Sequence, residues 1–408
     1  MSPRSSRCAG NADRLHPVTL PDLRHRFPGL SDGWVRLDGP AGTLPVDTAI
    51  EAMYAYLRSS APANEGGRFD ASIRTTAMVD DVRAAVGAFF GACGSQVIFG
   101  ASATALMFAY TRALARTWNG HERIICTQLD HDSNVTPWVT AAADAGAKVT
   151  SVPVDPADGS LDLADLERAL SGPKVAWVAL CGASNLTGFA PDLPVAAEMV
   201  HRAGARLHVD AVARAPHLPV DVNGWAIDSL VTSPYKWYGP HAGVLVLQPE
   251  LLNGVEPFRV RPADYNGPSR WETGTKAFEV IAGIGGATAF MAEHSWASVT
   301  SSETALLERL ETGLRAITGV TVHGPVSANG RAPTTIFNVD QRAPEWVAGA
   351  LAERRIAVWS GDNYACELID ALGLRARGGA VRAGIVRHTT NDDIDALLTA
   401  LAAIVANL

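Results

Sequence analysis

Short apolar runs alternate with helical patterns through the first 250 residues, and this alternation restricts the fold more than any other feature of the sequence. Strands separated by amphipathic helices predict a parallel sheet with right-handed crossover connections. Strands are predicted at residues 97–99, 124–127, 149–154, 175–181, 207–209, 229–232 and 243–247. The last run follows its predecessor too closely for a helix to intervene, so one antiparallel strand is expected. The prediction is an α/β fold with a mainly parallel seven-stranded sheet.

The pattern changes after residue 249, where irregular sequence rich in Pro and Gly begins. A long helical stretch is predicted from residue 277 to about residue 314, and three helical patterns follow it. Short strands are predicted among them at 335–339, 357–359 and 381–383. The expected division is an N-terminal segment (1–45), a large domain (46–265), a bridging helix region (266–300) and a small α+β C-terminal domain (301–408).

Composition excludes several classes of function. The chain carries 34 Lys and Arg against 42 Asp and Glu and has no basic run, so we expect no nucleic-acid partner. No apolar stretch approaches the roughly 20 residues that span a bilayer, and residues 1–20 lack the apolar segment of a secretory signal. The five cysteines have neither metal-ligand nor disulfide-framework spacing, which favours a cytoplasmic protein without a metal site.

Polar residues directly follow several predicted strands, at the edge where parallel sheets bind ligands. Asp210 follows the strand 207–209; standing alone it would be interpreted as a turn or cap residue. Lys236 follows the next strand and is one of only four lysines in the chain. Its aromatic neighbours and the Gly-Pro turn after it suit a lysine of depressed pKa that bonds to a carbonyl group.

Three more polar segments follow strands at the same edge. Residues 100–104 form a small-residue turn before a helix, which predicts an anion site or a simple helix cap. His131 follows the strand 124–127, where an ordinary loop histidine is the alternative. Asn185 follows the strand 175–181 and offers an amide to a phenolic or carboxylate oxygen. An amine, an acid, an anion site, a ring and an amide together indicate pyridoxal 5'-phosphate (PLP) as cofactor.

In the order and spacing of these residues the chain resembles the class V aminotransferase family of fold-type I PLP enzymes. Within that family it resembles the cysteine desulfurase-like branch. The resemblance covers nearly the whole chain, from Leu37-Asp38-Gly39-Pro40-Ala41 to Asp393-Ile394-Asp395. The segments that carry it between these ends are 130–134, 184–188, 208–211, 233–240, 270–275 and 381–383. The resemblance implies PLP-dependent fold type I, a large domain and a small C-terminal domain.

The resemblance also implies a role for each matching residue. Lys236 would form the Schiff base with PLP and move the proton at Cα, and Asp210 would pair with the pyridine nitrogen. His131 would stack on the cofactor ring, while Asn185 and Arg382 would hold the substrate carboxylate. The phosphate would be bound by Ala103, Thr104, Ser233, Tyr235 in place of a family histidine, and Thr275 from the second subunit of a homodimer with composite sites.

The chain departs from the family at two places that affect the chemistry. Ala213 stands where the family has a glutamine that contacts the phenolic oxygen, so this contact is lost or is taken over by Arg214 or a water. Desulfurases carry a nucleophilic cysteine in a loop of the small domain, where this chain has Tyr364. Cys366 follows two residues later at the start of a predicted helix and is interpreted as a buried packing residue rather than a persulfide carrier.

These departures favour a PLP-dependent carbon-sulfur lyase that acts on cysteine or an S-substituted cysteine. Lys236 would remove the Cα proton, and Tyr364 would protonate the departing sulfur or line the pocket. Transamination, epimerisation at Cα and decarboxylation-linked oxidative deamination are the alternatives with the same cofactor. A desulfurase that uses Cys366 and a non-catalytic binding homologue are further alternatives. The retained Lys236, Asp210, His131 and Arg382 argue against the last of these.

Overall fold

The computed structural model describes residues 20–263 and 266–407. Residues 1–19, which include Cys8 and most of the segment 1–20 predicted to lack a secretory signal, therefore lie outside the described residues. The strands of the described part are, in chain order, β1 Val35–Arg36, β2 Val97–Gly100, β3 Arg123–Thr127, β4 Lys148–Val152, β5 Val175–Cys181, β6 Arg206–Asp210, β7 Ser229–Thr232, β8 Gly243–Leu247, β9 Val320–His323, β10 Thr334–Val339, β11 Ile356–Ala357, β12 Trp359–Gly361 and β13 Ala380–Gly384.

Twelve α-helices in the described residues connect or cover these strands. They are α1 Asp47–Arg58, α2 Asp70–Phe89, α3 Ala103–Ala115, α4 Thr136–Ala145, α5 Leu163–Leu170, α6 Leu193–Arg202, α7 Pro249–Gly254, α8 Phe278–Met291, α9 Trp296–Ala316, α10 Pro344–Ala352, α11 Cys366–Ala371 and α12 Asn391–Ala406. No helix within residues 20–263 and 266–407 combines the length and the apolar character needed to cross a membrane.

The large sheet has seven strands in the order β2-β8-β7-β6-β5-β3-β4, which confirms the predicted α/β class. All of its pairs are parallel except the two that β8 makes with β7 and β2, so the predicted antiparallel strand is also confirmed. The strands β5, β6 and β7 lie side by side at the centre of this sheet. Their register pairs Cys181 with Asp210 and Asp210 with Val231, so Asp210 ends a central strand.

Helices cover both faces of the large sheet, and β5 shows why its sequence is continuously apolar. Val178 and Leu180 belong to the hydrophobic core on one face, whereas Trp177 and Ala179 belong to the core on the other face. Successive side chains of a strand point to opposite faces, so a strand buried on both faces needs an uninterrupted apolar run. The crossover helices leave the carboxyl ends of these strands available for a site.

The small sheet has the order β12-β13-β10-β9 and is antiparallel throughout. The predicted strand at 357–359 is wrong as a single element, because β11 ends at Ala357 and β12 begins at Trp359. β11 pairs instead with β1 in the N-terminal segment, and Asp38 bridges to Gly384 of β13. The N-terminal segment is therefore joined to the small sheet.

The helical stretch predicted from residue 277 to about 314 is two helices rather than one. Between them the Ser295 hydroxyl accepts a hydrogen bond from the Ser298 amide, which caps the start of α9. α8 contains the sequence Gly283-Ile284-Gly285-Gly286 and packs against α1. A Cβ on Gly286 would lie 2.3 Å from the Thr48 carbonyl oxygen, so glycine permits this close approach.

Candidate active site

The carboxyl ends of the central strands open into a cleft. The cleft brings together most of the residues that the sequence predicted to bind the cofactor or substrate. The predicted residues that line it are Ala103, Thr104, His131, Asn185, Asp210, Ser233, Tyr235 and Lys236. Arg382 is buried and donates to the Asn185 carbonyl oxygen. Tyr364 is exposed and contacts the cleft residue His131, whereas Thr275 lies in a separate cleft.

Lys236 is held at the end of a single turn, Pro234–Lys236, that follows β7. Its amine donates hydrogen bonds to the carbonyl oxygens of Pro40 and Ala41, the latter at 3.0 Å. Burial lowers the pKa of Lys236 to about 7, with the charge of Arg382 lowering it further and the charge of Asp210 opposing the shift. A large fraction of the amine is thus uncharged and nucleophilic at neutral pH.

Asp210 places a carboxylate in the centre of the cleft. One of its oxygens accepts a hydrogen bond from the Val212 amide at 2.8 Å. Burial raises the pKa of Asp210 to about 6, although the Val212 hydrogen bond and the charge of Lys236 both lower it. The carboxylate is therefore mostly ionised at pH 7 and can hold a proton on a ring nitrogen opposite it.

His131 presents a neutral ring to the same cleft. Its Nδ1 accepts a hydrogen bond from the Ser133 amide at 3.0 Å, which places the ring proton on Nε2. Burial lowers the pKa of His131 to about 4, and the charges of Lys236 and Arg382 add to this effect. An uncharged flat ring at this position suits stacking on an aromatic cofactor.

The start of α3 lies in the segment 100–104, for which the sequence predicts an anion site or a helix cap. The Ser102 hydroxyl accepts from the Ala105 amide at 3.1 Å, while the first amides of a helix have no partner within it. A Cβ on Gly243 would lie 2.3 Å from the Ser102 carbonyl carbon, so only glycine lets β8 approach this turn so closely. Buried Ser233 and half-buried Tyr235, which stacks on His241, complete this end of the cleft.

The side-chain amide of Asn185, which the sequence predicts to bind a phenolic or carboxylate oxygen, has a partner within the chain. It donates to the Asn363 carbonyl oxygen at 2.8 Å, so the loop 361–365 occupies it. Arg382 donates to the Asn185 carbonyl oxygen at 3.0 Å, and burial lowers the pKa of Arg382 to about 9. Among the described residues, Arg382 Nε and Asn185 Oδ1 are buried without a hydrogen-bond partner, which leaves donor and acceptor atoms for a bound carboxylate or phenolic group.

Cys366 is the first residue of α11, and Tyr364 lies two residues before it. The Tyr364 ring is 69% exposed and stacks on His131 with a centroid separation of 5.3 Å. Cys366 begins α11 as predicted but is half-buried, so its interpretation as a buried residue is wrong. It lies at the edge of the loop, where its sulfur donates to Asp362 at 3.7 Å. Burial and the Asp362 charge raise the pKa of Cys366, which disfavours the thiolate.

Two further predictions concern the rim of the site. Thr275 is exposed in a separate cleft beside Glu272 and Lys276, so it does not reach the cleft of its own chain. Arg214 donates to the carbonyl oxygens of Pro219 and Gly182 at 2.9 and 3.1 Å. Nε and Nη1 of Arg214 are thus bound to the backbone, and the replacement of the missing glutamine by Arg214 or a water stays a prediction.

Asp130 is a buried acid that the sequence reasoning did not assign a function. It accepts hydrogen bonds from the Thr127 hydroxyl at 2.5 Å and from the side-chain amide of Asn134 at 2.8 Å. Burial raises the pKa of Asp130 to about 8, and the charge of Asp210 contributes to the rise. Its position next to His131 in the segment 130–134 was the only sequence signal for it. The carbonyls of Pro40 and Ala41 at Lys236 were missed as well.

The buried amine, the central carboxylate, the neutral ring and the helix terminus fit PLP, and with this fold they define a PLP-dependent enzyme of fold type I. The sequence matches the family Aminotransferase class-V over residues 35–397, and the chain belongs to this family. The predicted family, fold type and PLP cofactor are thereby confirmed.

Similar proteins include desulfurases of the same fold. The chain is 29% identical to the cysteine desulfurase CsdA of Escherichia coli, covering 93% of this chain and 96% of CsdA. A crystal structure of CsdA aligns with a TM-score of 0.85 at 27% identity over 95% of this chain and 98% of that one.

Two more similar proteins cover nearly the whole chain. The uncharacterized protein MT3887 of Mycobacterium tuberculosis is 29% identical, covering 94% of this chain and 98% of that protein. The fold is also that of C-DES, solved with glycine covalently linked to its PLP cofactor, at a TM-score of 0.80 and 22% identity over 94% of this chain and 99% of that one.

Proposed function

We propose that the protein is a carbon-sulfur lyase that cleaves cysteine or an S-substituted cysteine by Cα deprotonation and β-elimination. The observation that carries the proposal is the contrast between two positions. Lys236 keeps a buried, largely uncharged amine beside Asp210. By the resemblance to desulfurases, Tyr364 would stand where they carry the sulfur-accepting cysteine. The proton-transfer chemistry at Cα is thus retained without the group that would take up the sulfur.

The net reaction balances with water alone. The Cα–H and Cβ–S bonds of the substrate break, and the sulfur leaves with a proton as a thiol. One water molecule is consumed when the remaining three-carbon unit is released as pyruvate and ammonium. No oxidant or reductant is required, so the protein needs only its cofactor and its own acid and base groups.

The residues of the cleft would hold PLP in one orientation. Lys236 would bind its aldehyde carbon, Asp210 would face the ring nitrogen and His131 would cover one ring face. The phosphate would lie at the start of α3 with Ser233 and Tyr235. Bound PLP supplies an electron sink that stabilises negative charge at the substrate Cα.

The substrate would be oriented by the residues behind Asn185. Within residues 20–263 and 266–407, Arg382 Nε has no hydrogen-bond partner, so its guanidinium can bind the α-carboxylate after the Asn185 amide leaves the Asn363 carbonyl. Lys236, with a pKa of about 7, can accept the Cα proton and return it. Tyr364 extends over His131 and would donate a proton to the departing sulfur or form the wall beside it.

The test is incubation of the purified holoenzyme with cysteine and a panel of cysteine S-conjugates. We expect thiol and pyruvate in equal amounts, and their loss in Lys236→Ala. The Cys366→Ser variant should retain the wild-type rate, because the raised pKa of Cys366 makes it a poor nucleophile. A keto acid that retains its sulfur would indicate transamination instead, and deuterium exchange at Cα without thiol release would indicate epimerisation.

We propose in addition that the protein acts as a homodimer with composite sites in the cytoplasm. The exposed position of Thr275, outside the cleft of its own chain, supports a role at the phosphate of a partner subunit. The separate large and small sheets support the proposed division near residues 265 and 300, with 1–45 as an N-terminal segment.

A further inference from the structure

Two large aromatic side chains are exposed beside the substrate end of the cleft. Trp359 is 50% exposed and Tyr364 is 69% exposed. Tryptophan is highly buried on average, and exposed aromatic surface next to a binding cleft commonly marks a contact with a ligand. The chemistry proposed above uses at most the Tyr364 hydroxyl, and it gives no role to the exposed faces of the two rings.

Trp359 lies directly beside Arg382 in the small sheet. The register of β12 and β13 pairs these two residues, and directly opposed residues of an antiparallel pair share a face, with Cβ atoms about 4.5–5.5 Å apart. The Arg382 guanidinium contacts the Asn185 carbonyl, so this face looks towards the cleft. The next pair, Ser360 and Val381, has its face towards the core of the small domain, where Val381 is buried.

Tyr364 is fixed beside His131, which lines the cleft. Its ring stacks on His131, and its carbonyl oxygen accepts a hydrogen bond from the Asp132 amide at 2.8 Å. The loop that joins it to β12 is held by the Asn185 amide, which donates to the Asn363 carbonyl. The Asp132 hydrogen bond and the His131 stack hold Tyr364, and the pairing of β12 with β13 holds Trp359, which reduces the entropy lost when a ligand binds.

We propose that Trp359 and Tyr364 form the subsite for the group beyond the substrate sulfur, and that this group is aromatic. The identity of the substrate as a cysteine S-conjugate rests on the proposed function. An aromatic substituent would gain stacking contacts from both rings while Arg382 holds the carboxylate. The carboxylates of Asp132 and Asp362, on the segments that carry the contacts to Tyr364, disfavour an anionic substituent.

The test uses two amino acids that have no sulfur to lose, so it does not depend on the lyase reaction. The carbon analogue of S-benzylcysteine is 2-amino-5-phenylpentanoate, and that of S-methylcysteine is norvaline. Calorimetric titration of the holoenzyme should show the phenyl compound binding about tenfold more tightly. Trp359→Ala should reduce this ratio to about twofold, and Trp359→Phe should restore most of it. Tyr364→Phe, which keeps the ring, should leave the ratio unchanged.

Trp346→Ala is the matched control, because Trp346 on α10 is 46% exposed and its ring stacks with the Arg342 guanidinium. It should retain the wild-type ratio. Equal binding of the two compounds, or a ratio that survives Trp359→Ala, would overturn the subsite. If the phenyl preference holds but no S-conjugate releases thiol, the subsite stands and the proposed function fails. If thiols are released without regard to the substituent and the phenyl preference is absent, the proposed function stands and the subsite fails.

Discussion

Burial sets the charge of the individual groups in the cleft, and each group acquires the state that its proposed role requires. The pKa of Lys236 falls to about 7, so an amine is available, while the pKa of His131 falls to about 4, so its ring is neutral. The pKa of Asp210 rises only to about 6, so the acid is ionised at pH 7. These states depend on the fold, because the same residues in an unfolded chain would have ordinary pKa values.

The lowered pKa of Lys236 predicts how the apoprotein takes up PLP. Only the uncharged amine attacks an aldehyde, so the uptake rate should rise about tenfold per pH unit below pH 7 and level off above it. Arg382→Gln removes a charge that lowers this pKa and should move the midpoint upwards. Asp210→Asn removes a charge that raises it and should move the midpoint downwards. Stopped-flow absorbance at several pH values measures the midpoint, and a rate that still rises above pH 9 would contradict the assignment.

Asp130 predicts a pH dependence of stability with a definite sign. Its pKa in the folded protein is about 8, above the usual value of 3.8, so the folded state holds the proton more tightly. The stability that this provides is complete below about pH 4 and is lost as the pH rises towards 8. Asp130→Asn keeps a neutral side chain with hydrogen-bonding capacity at every pH. Thermal unfolding should therefore show the variant gaining on the wild type between pH 5 and 8, by at most about 1.4 kcal/mol per unit.

At the scale of elements, the close approach of β8 to the start of α3 predicts a sensitive glycine. Gly243→Ala would place a Cβ 2.3 Å from the Ser102 carbonyl carbon and 2.6 Å from the Ala103 nitrogen. We expect a loss of about 1–3 kcal/mol in the free energy of unfolding and weaker PLP binding, since the phosphate turn must move. Gly349→Ala is the control, because the new Cβ would meet nothing within 4 Å on α10. Equal effects of the two substitutions would contradict this account.

The loop 184–188 after β5 is held by an arginine from the segment between β9 and β10. Arg331 donates through Nε and Nη2 to the Thr187 carbonyl oxygen at 3.0 and 2.7 Å, and Nη2 also reaches Glu311 at 3.0 Å. Arg331→Lys retains the charge but not the planar fork, so the loop that carries Asn185 should loosen. We expect KM for the substrate to rise about tenfold with a smaller change in kcat. Arg309→Lys, at an exposed pair with Asp395, should change neither.

The sequence predicts the elements that depend on local patterns and misses the contacts that depend on distant segments. The strand β5 and the turn before α3 are visible because their apolar run and small residues are contiguous. Nothing local shows that Asn363, 178 residues away, takes the Asn185 amide. The same holds for the carbonyls of Pro40 and Ala41 at Lys236, because backbone groups carry no sequence signal.

At the scale of the whole molecule, the site is assembled from parts of the chain that are far apart in sequence. Lys236 comes from the large sheet, its carbonyl partners come from residues 40–41, and Arg382 comes from the small sheet. The N-terminal segment links these parts, because β1 pairs with β11 and Asp38 bridges to Gly384. The placement of the small sheet against the large sheet therefore determines where Arg382 meets Asn185.

An exposed apolar face on α1 predicts how the whole molecule associates. Ile50, Tyr54 and Leu57 repeat at helical spacing, as the sequence shows, but the structure leaves all three exposed. Phe69 and Ile73 near the start of α2 are exposed as well. A second copy of the chain would cover this surface, and it would also bring a Thr275 to a phosphate site that Thr275 cannot reach within its own chain.

Leu57→Asp should therefore separate the subunits, because it places a charge where Leu57 is 57% exposed on that face. Light scattering after gel filtration should show about twice 43.0 kDa for the wild type and a single chain for the variant. The variant should also retain PLP more weakly, as dialysis followed by absorbance would measure, since each phosphate loses a donor from the partner. Val326→Asp, at a side chain 84% exposed in a loop, should remain dimeric and retain PLP. A wild-type monomer that holds PLP fully would show instead that each chain builds its site alone and that the face on α1 has another role.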